Sequence, residues 1–423
     1  MREAFDAEAY LDSLEPLGWR LGLDRIHRLT SVLGMPQHQY SSIHVVGTNG
    51  KSSVAQMIAA LLEGHGVRAG AYLSPHLSSW AERVRVRGEE IEPAAFAAAV
   101  ERAAMAAEVV DRTLEEGDAV TQFEAVTAAA FVAFAAARVS AGVIEAGLGG
   151  RLDATNVIPS RVTVLSSVGL DHTEWLGETE VEIAAEKLAV LRDHSTLVTG
   201  ALPAEVEALA EDTARDRGAT LVRAPADPGP DIELLAPGPF QRRNFALAVT
   251  AAEAFLGEVD PAVVHEVAAG LSIPGRLELV AGDPPTILDV AHNPDGAAAL
   301  AEALPEVSGG RPVFACVAIL ADKDAEAILR ALAPALEHVV LTEVPAERLR
   351  ASGRPGARST SVAELAAICE RLGVQAEQVP DPGAALARAR ELAAAQGGVA
   401  LAAGSHYLLE AAWTRRHAQS FSR

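Results

Sequence analysis

This sequence has very little cysteine, no signal-peptide core and no apolar run of membrane length. Only Cys316 and Cys369 occur among 423 residues, which excludes a disulfide framework and a zinc site built from cysteines. The acidic start, MREAFDAEAY, lacks the apolar core of a signal peptide. The alanine-rich run Ala125–Ala137 is too short to span a bilayer. We therefore expect a cytoplasmic protein.

Positive charge is also scarce. Lysine and arginine number 35 against 57 aspartate and glutamate residues, a formal net charge of −22. A chain this acidic is a poor candidate for non-specific binding to nucleic acid or to an anionic membrane. We expect neither partner. We expect a monomer whose anionic substrates enter a local basic pocket.

The stretch Ile43–Val54, IHVVGTNGKSSV, has the order that holds polyphosphate: an apolar β-rich run, a glycine loop and a helical pattern. Two glycines let backbone N–H groups approach phosphate oxygens. Lys51 reaches the outer phosphates, and Ser52 bonds a phosphate or a magnesium ion. Val45 stands where the longer GxxxxGK[ST] pattern has a glycine, and the alternative is an ordinary turn that contains a lysine.

Length and alternation predict the architecture. A chain of 423 residues is too long for one typical domain, and 49% hydrophobic residues suffice for large cores. Strand and helix patterns alternate, which implies parallel sheets. The predicted fold class is α/β: a large P-loop-type domain (1–273) with a mostly parallel sheet flanked by helices, and a smaller Rossmann-like domain (274–423). The alternating charges and valines of Glu82–Arg87 predict an exposed strand.

Three polar residues follow strands of the first predicted sheet. Ser74, Glu145 and His172 each lie just past an apolar strand pattern, where ligands gather in a parallel sheet. A hydroxyl, a carboxylate and an imidazole can together hold one magnesium ion beside a nucleotide. On chemistry alone, a structural or acid–base role for His172 is an equal alternative. The segment Asp289–Pro294 ends a strand of the second sheet and faces ligands in the same way.

A set of motifs carries a family resemblance. In chain order they read GTNGKSS, YLSPHL, EAGLGGRLDATN, GLDHTEWLG, EKLAVLR, QRRN, PGR, DVAHNPDG, ILADKD and GSHYL. They resemble the folylpolyglutamate synthase/dihydrofolate synthase family, which belongs to the Mur-ligase-like ATP-dependent amide ligases. The resemblance implies glutamate addition to a folate through an acyl phosphate, with ATP, L-glutamate and one or two Mg²⁺ ions.

The resemblance also assigns roles by matching motif. Ser74, Glu145 and His172 correspond to magnesium ligands, Lys187 corresponds to a lysine that is carbamylated, and His292 would lie near the phosphates. The implied ATP contacts are Thr48, Asn49, Gly50, Lys51, Ser52, Asn244, Arg276 and Asp289. The implied pterin pocket draws on Leu21, Gly22, Thr121, Gln122, Phe123, Glu124, Leu152, Asp153 and Ala154.

Several points stay open at this stage. Thr121 to Glu124 also fits a plain helix cap. Lys187 is followed by LAVLR where EKAGI is usual, and GSHYL matches the variant of enzymes that only extend glutamate tails. On balance the expectation is a bifunctional enzyme that also converts dihydropteroate. The competing classes are a cell-wall precursor ligase with a UDP-linked substrate and a non-catalytic nucleotide switch.

Overall fold

A computed structural model of the chain describes residues 5–14, 20–76, 78–350 and 357–409. The described residues divide into two compact units, taken from Met1–Glu233 with Arg243–Leu271 and from Leu234–Arg242 with Ser272–Arg423. Each unit is treated by itself below. The predicted division into domains of residues 1–273 and 274–423 stays a prediction.

The described residues of the first unit form one large sheet. Its strands are β1 (Ser41–Val46), β2 (Ala69–Tyr72), β3 (Val84–Val86), β4 (Glu89–Glu90), β5 (Ala141–Glu145), β6 (Ser160–Leu165), β7 (Thr196–Thr199) and β8 (Thr220–Arg223). They lie in the order β4-β3-β2-β5-β1-β6-β7-β8. Neighbours from β2 to β8 are parallel, and only the edge strands β3 and β4 pair antiparallel.

Helices cover this sheet. They are α1 (Ala7–Ser13), α2 (Asp24–Val32), α3 (Lys51–Gly64), α4 (Pro93–Asp111), α5 (Gln122–Ala136), α6 (Thr173–Leu176), α7 (Glu180–Leu188), α8 (Ala204–Asp216), α10 (Pro261–Gly270) and, from Arg243 onward, α9 (Pro239–Leu256). Every residue of α5 from Glu124 to Phe134 is buried, which explains why its sequence shows no amphipathic period. In the part of the chain that the structure describes, no helix combines the length and the apolar character that crossing a membrane requires.

The second unit is a smaller sheet of the same kind. Its described strands are β9 (Glu278–Val280), β10 (Thr286–Leu288), β11 (Val313–Val317), β12 (His338–Leu341), β13 (Ala376–Gln378) and β14 (Val399–Ala403). The order is β13-β12-β11-β14-β10-β9, and only β9 is antiparallel to its neighbour. Its helices are α11 (Pro294–Val307), α12 (Ala325–Leu332), α13 (Ala346–Arg350), α14 (Val362–Leu372) and α15 (Pro382–Ala395). The predicted α/β class, with two mostly parallel sheets flanked by helices, is confirmed.

The prediction of an exposed strand over Glu82–Arg87 is wrong for its first two residues, and in the strand that does form Val84 is buried while Arg85 and Val86 are half-buried. A 3₁₀ turn covers Trp80–Arg83, and the strand begins only at Val84. Arg83 is buried because its Nε donates to Nδ1 of His76 (2.9 Å) and its guanidinium lies 4.4 Å from the ring centre of Trp80. An alternating charge pattern does not reveal that one of the charges has buried partners.

Phe134 of α5 and its neighbour Tyr40 pack against the sheet at two positions occupied by glycine, which leave space for their rings. A Cβ on Gly70 of β2 would come within 2.7 Å of the Phe134 ring. The ring also meets Tyr40 edge-on, with centroids 5.9 Å apart, and Tyr40 in turn fills the space above Gly142 of β5. This aromatic pair therefore joins α5 to the centre of the sheet.

We predict that Phe134→Ala lowers the free energy of unfolding by roughly 3–5 kcal/mol, because the cavity between α5 and the sheet cannot close. Urea unfolding followed by circular dichroism measures this change. Met105→Ala on α4, where the side chain is 55% exposed, is the control and should stay within about 0.5 kcal/mol of the parent. A loss below about 1 kcal/mol at Phe134 would contradict the packing described here.

Candidate active site

Four of the predicted site segments of the first unit reach the same edge of its sheet. The strands β2, β5, β1 and β6 are adjacent and parallel, so their carboxyl ends lie side by side. Ser74 follows β2, and Glu145 ends β5. Residues 47–50 follow β1, and the segment up to His172 follows β6. Ligands of open parallel sheets bind at such an edge.

The loop after β1, called the phosphate loop (residues 47–52), is fixed by the segment after β6. The N–H of Thr48 donates to the carbonyl of Ser167 (2.9 Å), and its hydroxyl exchanges hydrogen bonds with Gly169 (3.1 Å each). The N–H of Asn49 donates to the Ser167 hydroxyl (2.8 Å), and the Asn49 carbonyl accepts from the Ser166 hydroxyl (2.6 Å). These two serines carry no motif-like signal, so sequence reasoning did not find them.

Two positions of the phosphate loop require glycine. Gly50 has a φ of 82°, and a Cβ there would lie 2.7 Å from Oδ1 of Asn244. A Cβ on Gly47 would lie 2.0 Å from the Ser166 hydroxyl. The structure thus places Asn244 of α9 beside the start of α3, and its role as an ATP contact stays a prediction.

Two lysines donate to one carbonyl of this loop. Lys51 Nζ donates to the carbonyls of Gly47 and Thr48 (3.1 Å each), and Lys187 Nζ donates to that of Gly47 (2.9 Å). A lysine on a helix is usually solvated, yet Lys187 is only 3% exposed. Burial, and then the charge of Lys51, lower the pKa of Lys187 to about 7, although Asp171 and Asp153 act in the opposite direction.

Ser74 and Glu145 lie together, with Ser52 beside them. Glu145 Oε2 accepts from the N–H of Ser74 (2.9 Å), and Oε1 accepts from the Ser52 hydroxyl (2.9 Å). Glu145 is buried, at 1% exposure. A buried carboxylate with two hydroxyl groups nearby supplies the hard oxygen ligands that magnesium prefers, so these residues fit the predicted ion.

His172 precedes α6 in a left-handed conformation, with a φ of 50°. Its backbone N–H donates to Oδ1 of Asp171 (2.9 Å), and Nε2 of its imidazole ring lies 3.8 Å from the same oxygen. Within the described ranges, no group of three or more His, Cys, Asp and Glu side chains has the arrangement of a metal site. The predicted set contains a serine and only two residues of those types, and the role of His172 as its third member stays a prediction.

The stretch from Thr121 to Glu124 forms the helix cap that was one of the two interpretations. Thr121 and Glu124 make a reciprocal capping box at the start of α5. Both Glu124 oxygens also accept from Nε of Arg25 (3.1 and 3.0 Å). Burial is the largest influence on the Glu124 pKa and raises it, against these hydrogen bonds. Its carboxylate is therefore occupied by protein donors, whereas Phe123 packs on Gly147, where a Cβ would lie 2.5 Å from its ring.

The glycine loop after β5 (residues 147–156) is organised by Asp153. Its carboxylate accepts from the N–H groups of Leu148 (2.8 Å) and Thr155 (3.0 Å) and from the Thr155 hydroxyl. Burial raises the Asp153 pKa. Leu152 is 41% exposed and Leu21 is 39% exposed, whereas Ala154 is buried.

The remaining pocket residues differ in their surroundings. Gln122 Nε2 donates to the carbonyl of Leu11 (2.9 Å), which ties the start of α5 to α1. Gly22, with a φ of 152°, precedes α2. Residues 15–19, in the N-terminal segment that the resemblance links to the pterin pocket, lie outside the described residues.

The second unit has a polar edge of its own. Asp289, after β10, is buried and accepts from the N–H groups of Leu277 and Ala291 (2.7 Å each). Burial raises its pKa, while the charge of Arg276 acts against that rise. The rings of His292 and His406 lie 5.3 Å apart.

Lys323 is a residue to which the sequence analysis gave no role. It follows β11 at the carboxyl edge of the second sheet, with its side chain 6% exposed and its Nζ 3.8 Å from Asp322. The sequence feature that could have singled out Lys323 is the scarcity of lysine in this chain. The chain has only three lysines, at positions 51, 187 and 323. Lys51 and Lys323 follow strands at the carboxyl edges of their sheets, and Lys187 donates a hydrogen bond to the loop after β1.

Comparison with protein families identifies part of the second unit. Residues 275–406 match the family model described as "Mur ligase, glutamate ligase domain". The chain is 35% identical over 389 residues to a dihydrofolate synthase/folylpolyglutamate synthase of Mycobacterium tuberculosis, covering 83% of this chain and 78% of the relative. It is 34% identical over 363 residues to a folylpolyglutamate synthase of Lacticaseibacillus casei, covering 80% and 84%.

Solved structures of proteins with these names superpose closely on the chain. A folylpolyglutamate synthase of M. tuberculosis complexed with ADP and AMPPCP superposes with a TM-score of 0.86 at 33% identity, over 97% of this chain and 98% of that one. Escherichia coli FolC with DHPP and ADP gives 0.83 at 28% identity, over 99% and 100%. A bifunctional folylpolyglutamate synthase/dihydrofolate synthase with Mn, AMPPNP and L-glutamate bound gives 0.81 at 29%, over 97% and 98%.

The phosphate loop yields a binding prediction. Lys51→Ala should weaken binding of a magnesium–ATP analogue by roughly 10- to 100-fold, since a hydrogen bond to a charged group contributes about 1.5–3 kcal/mol. Isothermal titration calorimetry measures the affinity. Arg161→Ala, an exposed cation at the opposite end of β6, is the matched control and should bind normally. Equal affinities of the two variants would contradict a phosphate-binding role for Lys51.

Proposed function

The chain belongs to the folylpolyglutamate synthase/dihydrofolate synthase family, and from this premise we propose that it is an ATP-dependent ligase that joins L-glutamate to folates. One observation carries the proposal beyond the name of the family. The phosphate loop, two lysines and a buried carboxylate meet at one sheet edge, as a phosphoryl-transfer site requires. Its cytoplasmic location and monomeric state stay predictions from the sequence.

The reaction has two steps. A carboxylate oxygen of the folate attacks the γ-phosphorus of ATP, ADP leaves, and an acyl phosphate forms. The amine of glutamate then attacks the acyl carbon, loses a proton to solvent and displaces inorganic phosphate, which leaves an amide. Both steps need charge neutralisation and positioning more than a side-chain nucleophile. Lys51, at the start of α3, would exchange its loop carbonyls for the transferring phosphoryl oxygens.

Ser74, Glu145 and His172 would hold a magnesium ion at the end of the phosphate loop, with the Ser52 hydroxyl beside it. When bound, the ion would neutralise charge on phosphate oxygens. Thr48, Asn49, Gly50 and Asn244 would contact the nucleotide from the first unit. Arg276, Asp289 and His292 lie in the second unit, and the family resemblance implies nucleotide contacts for the first two and a place near the phosphates for the third.

Lys187 is proposed to act as a carbamate. Its neutral amine attacks the carbon of CO₂ and loses one proton to solvent, so that a buried cation becomes an anion able to hold a second metal ion. A pKa of about 7 favours this step, because much of the amine is uncharged at physiological pH. Burial beside Lys51 supports it further, since the carbamate and the Lys51 ammonium attract each other.

Use of dihydropteroate is the finer part of the proposal. Leu21 and Leu152 of the proposed pterin pocket offer exposed apolar surface, and Phe123 packs against Gly147 of the glycine loop. The E. coli structure named with DHPP and ADP comes from a protein that this chain matches over nearly its whole length. These features favour a bifunctional enzyme over one that only extends glutamate tails.

The decisive assay gives the purified protein ATP, magnesium and labelled glutamate with either a reduced folate monoglutamate or dihydropteroate. We expect both acceptors to gain glutamate in step with ADP release. Chromatography and mass spectrometry identify the products. Reaction of the folate alone would reject bifunctionality, and a lack of reaction with both acceptors would reject the proposed function. Turnover of a UDP-linked peptide instead would assign the chain to the cell-wall branch of the superfamily.

The carbamate has its own test. Carbon-13 NMR with labelled bicarbonate should reveal one carbamate carbon, absent from Lys187→Met and retained in Lys51→Met. Its intensity should rise between about pH 6 and pH 8, because deprotonation of an amine with a pKa of about 7 exposes the nucleophile. A small carboxylate such as acetate should partly restore activity to Lys187→Ala. No carbamate signal in the active protein would refute this role.

A further inference from the structure

The glycine loop (residues 147–156) closes the last turn of α7. Carbonyls at the end of a helix have no partner within the helix. The N–H of Arg151 donates to the carbonyl of Glu186 (2.9 Å), and its Nη2 donates to that of Ala185 (3.5 Å). A cation at this position also interacts favourably with the helix dipole.

Side chains and close backbone packing strengthen this contact. Arg151 Nε donates to Oε1 of Glu186 at 2.7 Å. The backbone of Gly150 lies so near the helix end that a Cβ would come within 2.8 Å of the Glu186 carbonyl oxygen and 2.9 Å of the Lys187 carbonyl oxygen. The loop therefore touches the same turn of α7 that carries Lys187.

The other end of the glycine loop is tied to the segment after α7. Asn156 Nδ2 donates to the carbonyl of Arg151 (2.9 Å). Nη2 of Arg192 donates to the carbonyl (2.6 Å) and to Oδ1 (2.8 Å) of Asn156. The loop thus holds the chain on both sides of Lys187, at residues 185–186 and at residue 192.

Lys187 extends from this clamped turn to the phosphate loop, where its Nζ donates to the Gly47 carbonyl (2.9 Å). From these contacts we infer that the Arg151 side chain is a positioning group of the reaction: through Glu186 Oε1 and the Ala185 carbonyl it secures the last turn of α7, and so places the Lys187 amine at the phosphate loop. The kinetic consequence rests on the proposed ligase activity. The mechanical consequence, an ordered last turn of α7, does not.

A different role for Arg151 makes a different prediction. Its side chain is 53% exposed, so a direct ionic contact with an anionic folate tail would affect KM for the folate. A positioning role through Lys187 would instead lower kcat, because Lys187 serves the chemical step. The two roles therefore separate in a comparison of kcat with KM.

The kinetic experiment uses Arg151→Ala with Glu186→Gln as a second, milder variant. Loss of a residue that orients a reacting group commonly lowers activity 10- to 100-fold, so kcat of Arg151→Ala should fall by roughly that factor. KM for the reduced folate should stay within about twofold, because uniform binding is untouched. Glu186→Gln keeps an acceptor oxygen for Arg151 and should lose less activity. A raised KM with unchanged kcat, or no change in either, would overturn the inference.

Arg223→Ala is the matched control. Arg223 is an exposed arginine on the edge strand β8 of the same sheet, paired with Glu207 and Glu211. Its loss removes a comparable surface ion pair without touching the glycine loop. Kinetics equal to those of the parent protein are expected, and a loss of kcat equal to that of Arg151→Ala would make the effect non-specific and overturn the inference.

Hydrogen–deuterium exchange tests the clamp without any substrate. Amides from Lys187 to Leu191 should exchange at least several-fold faster in Arg151→Ala than in the parent or in Arg223→Ala. Arg151→Lys, which keeps the charge but not the planar donor fork, should lie between them. Unchanged exchange would overturn the inference even if kcat fell. If the parent fails to ligate glutamate, the proposed function fails, and the exchange result still decides whether the clamp exists.

Discussion

The carbonyl oxygen of Gly47 is the point on which the rest of the site depends. A carbonyl has two lone pairs, and here the ammonium groups of Lys51 and Lys187 both donate to it. Burial disfavours the cationic form of Lys187 most strongly, and the nearby charge of Lys51 adds to that cost. The arrangement therefore favours negative charge nearby, which is consistent with the proposed phosphate contact of Lys51 and the proposed carbamate of Lys187. It also explains why an acidic chain concentrates two of its three lysines at one loop.

The geometry around this carbonyl comes from the parallel sheet. Adjacent parallel strands bring their carboxyl ends to a common edge, so residues from distant parts of the sequence meet there without any long connecting loop. Ser166 and Ser167 after β6 fix Asn49 after β1, and Glu145 at the end of β5 receives the N–H of Ser74 after β2. Each contact joins neighbouring strands of the sheet, which is why the site needs the whole fold.

Much of this arrangement was predictable from sequence. Apolar runs followed by Gly47, Ser74 and Glu145 indicated both the strands and the edge at which they end. The buried state of Lys187 and Arg83 was not predictable, because burial of a charged side chain depends on partners distant in sequence: the Gly47 carbonyl for one, His76 and Trp80 for the other. The short edge strands β4 and β9 were missed for a related reason. Strands of two or three residues carry no measurable periodicity.

Two buried carboxylates show that a motif match does not by itself assign a ligand-binding role to every residue in the motif. Glu124 and Asp153 belong to segments matched to a pterin pocket, yet the oxygens of both carboxylates accept hydrogen bonds from the protein. Glu124 accepts from Thr121 and Arg25, and Asp153 accepts from backbone N–H groups and from Thr155. Removing such donors to admit a ligand would leave a buried charge unpaired, which costs more than a new hydrogen bond returns. In the structure both carboxylates are occupied by donors of the protein itself, and their role in a pterin pocket stays a prediction.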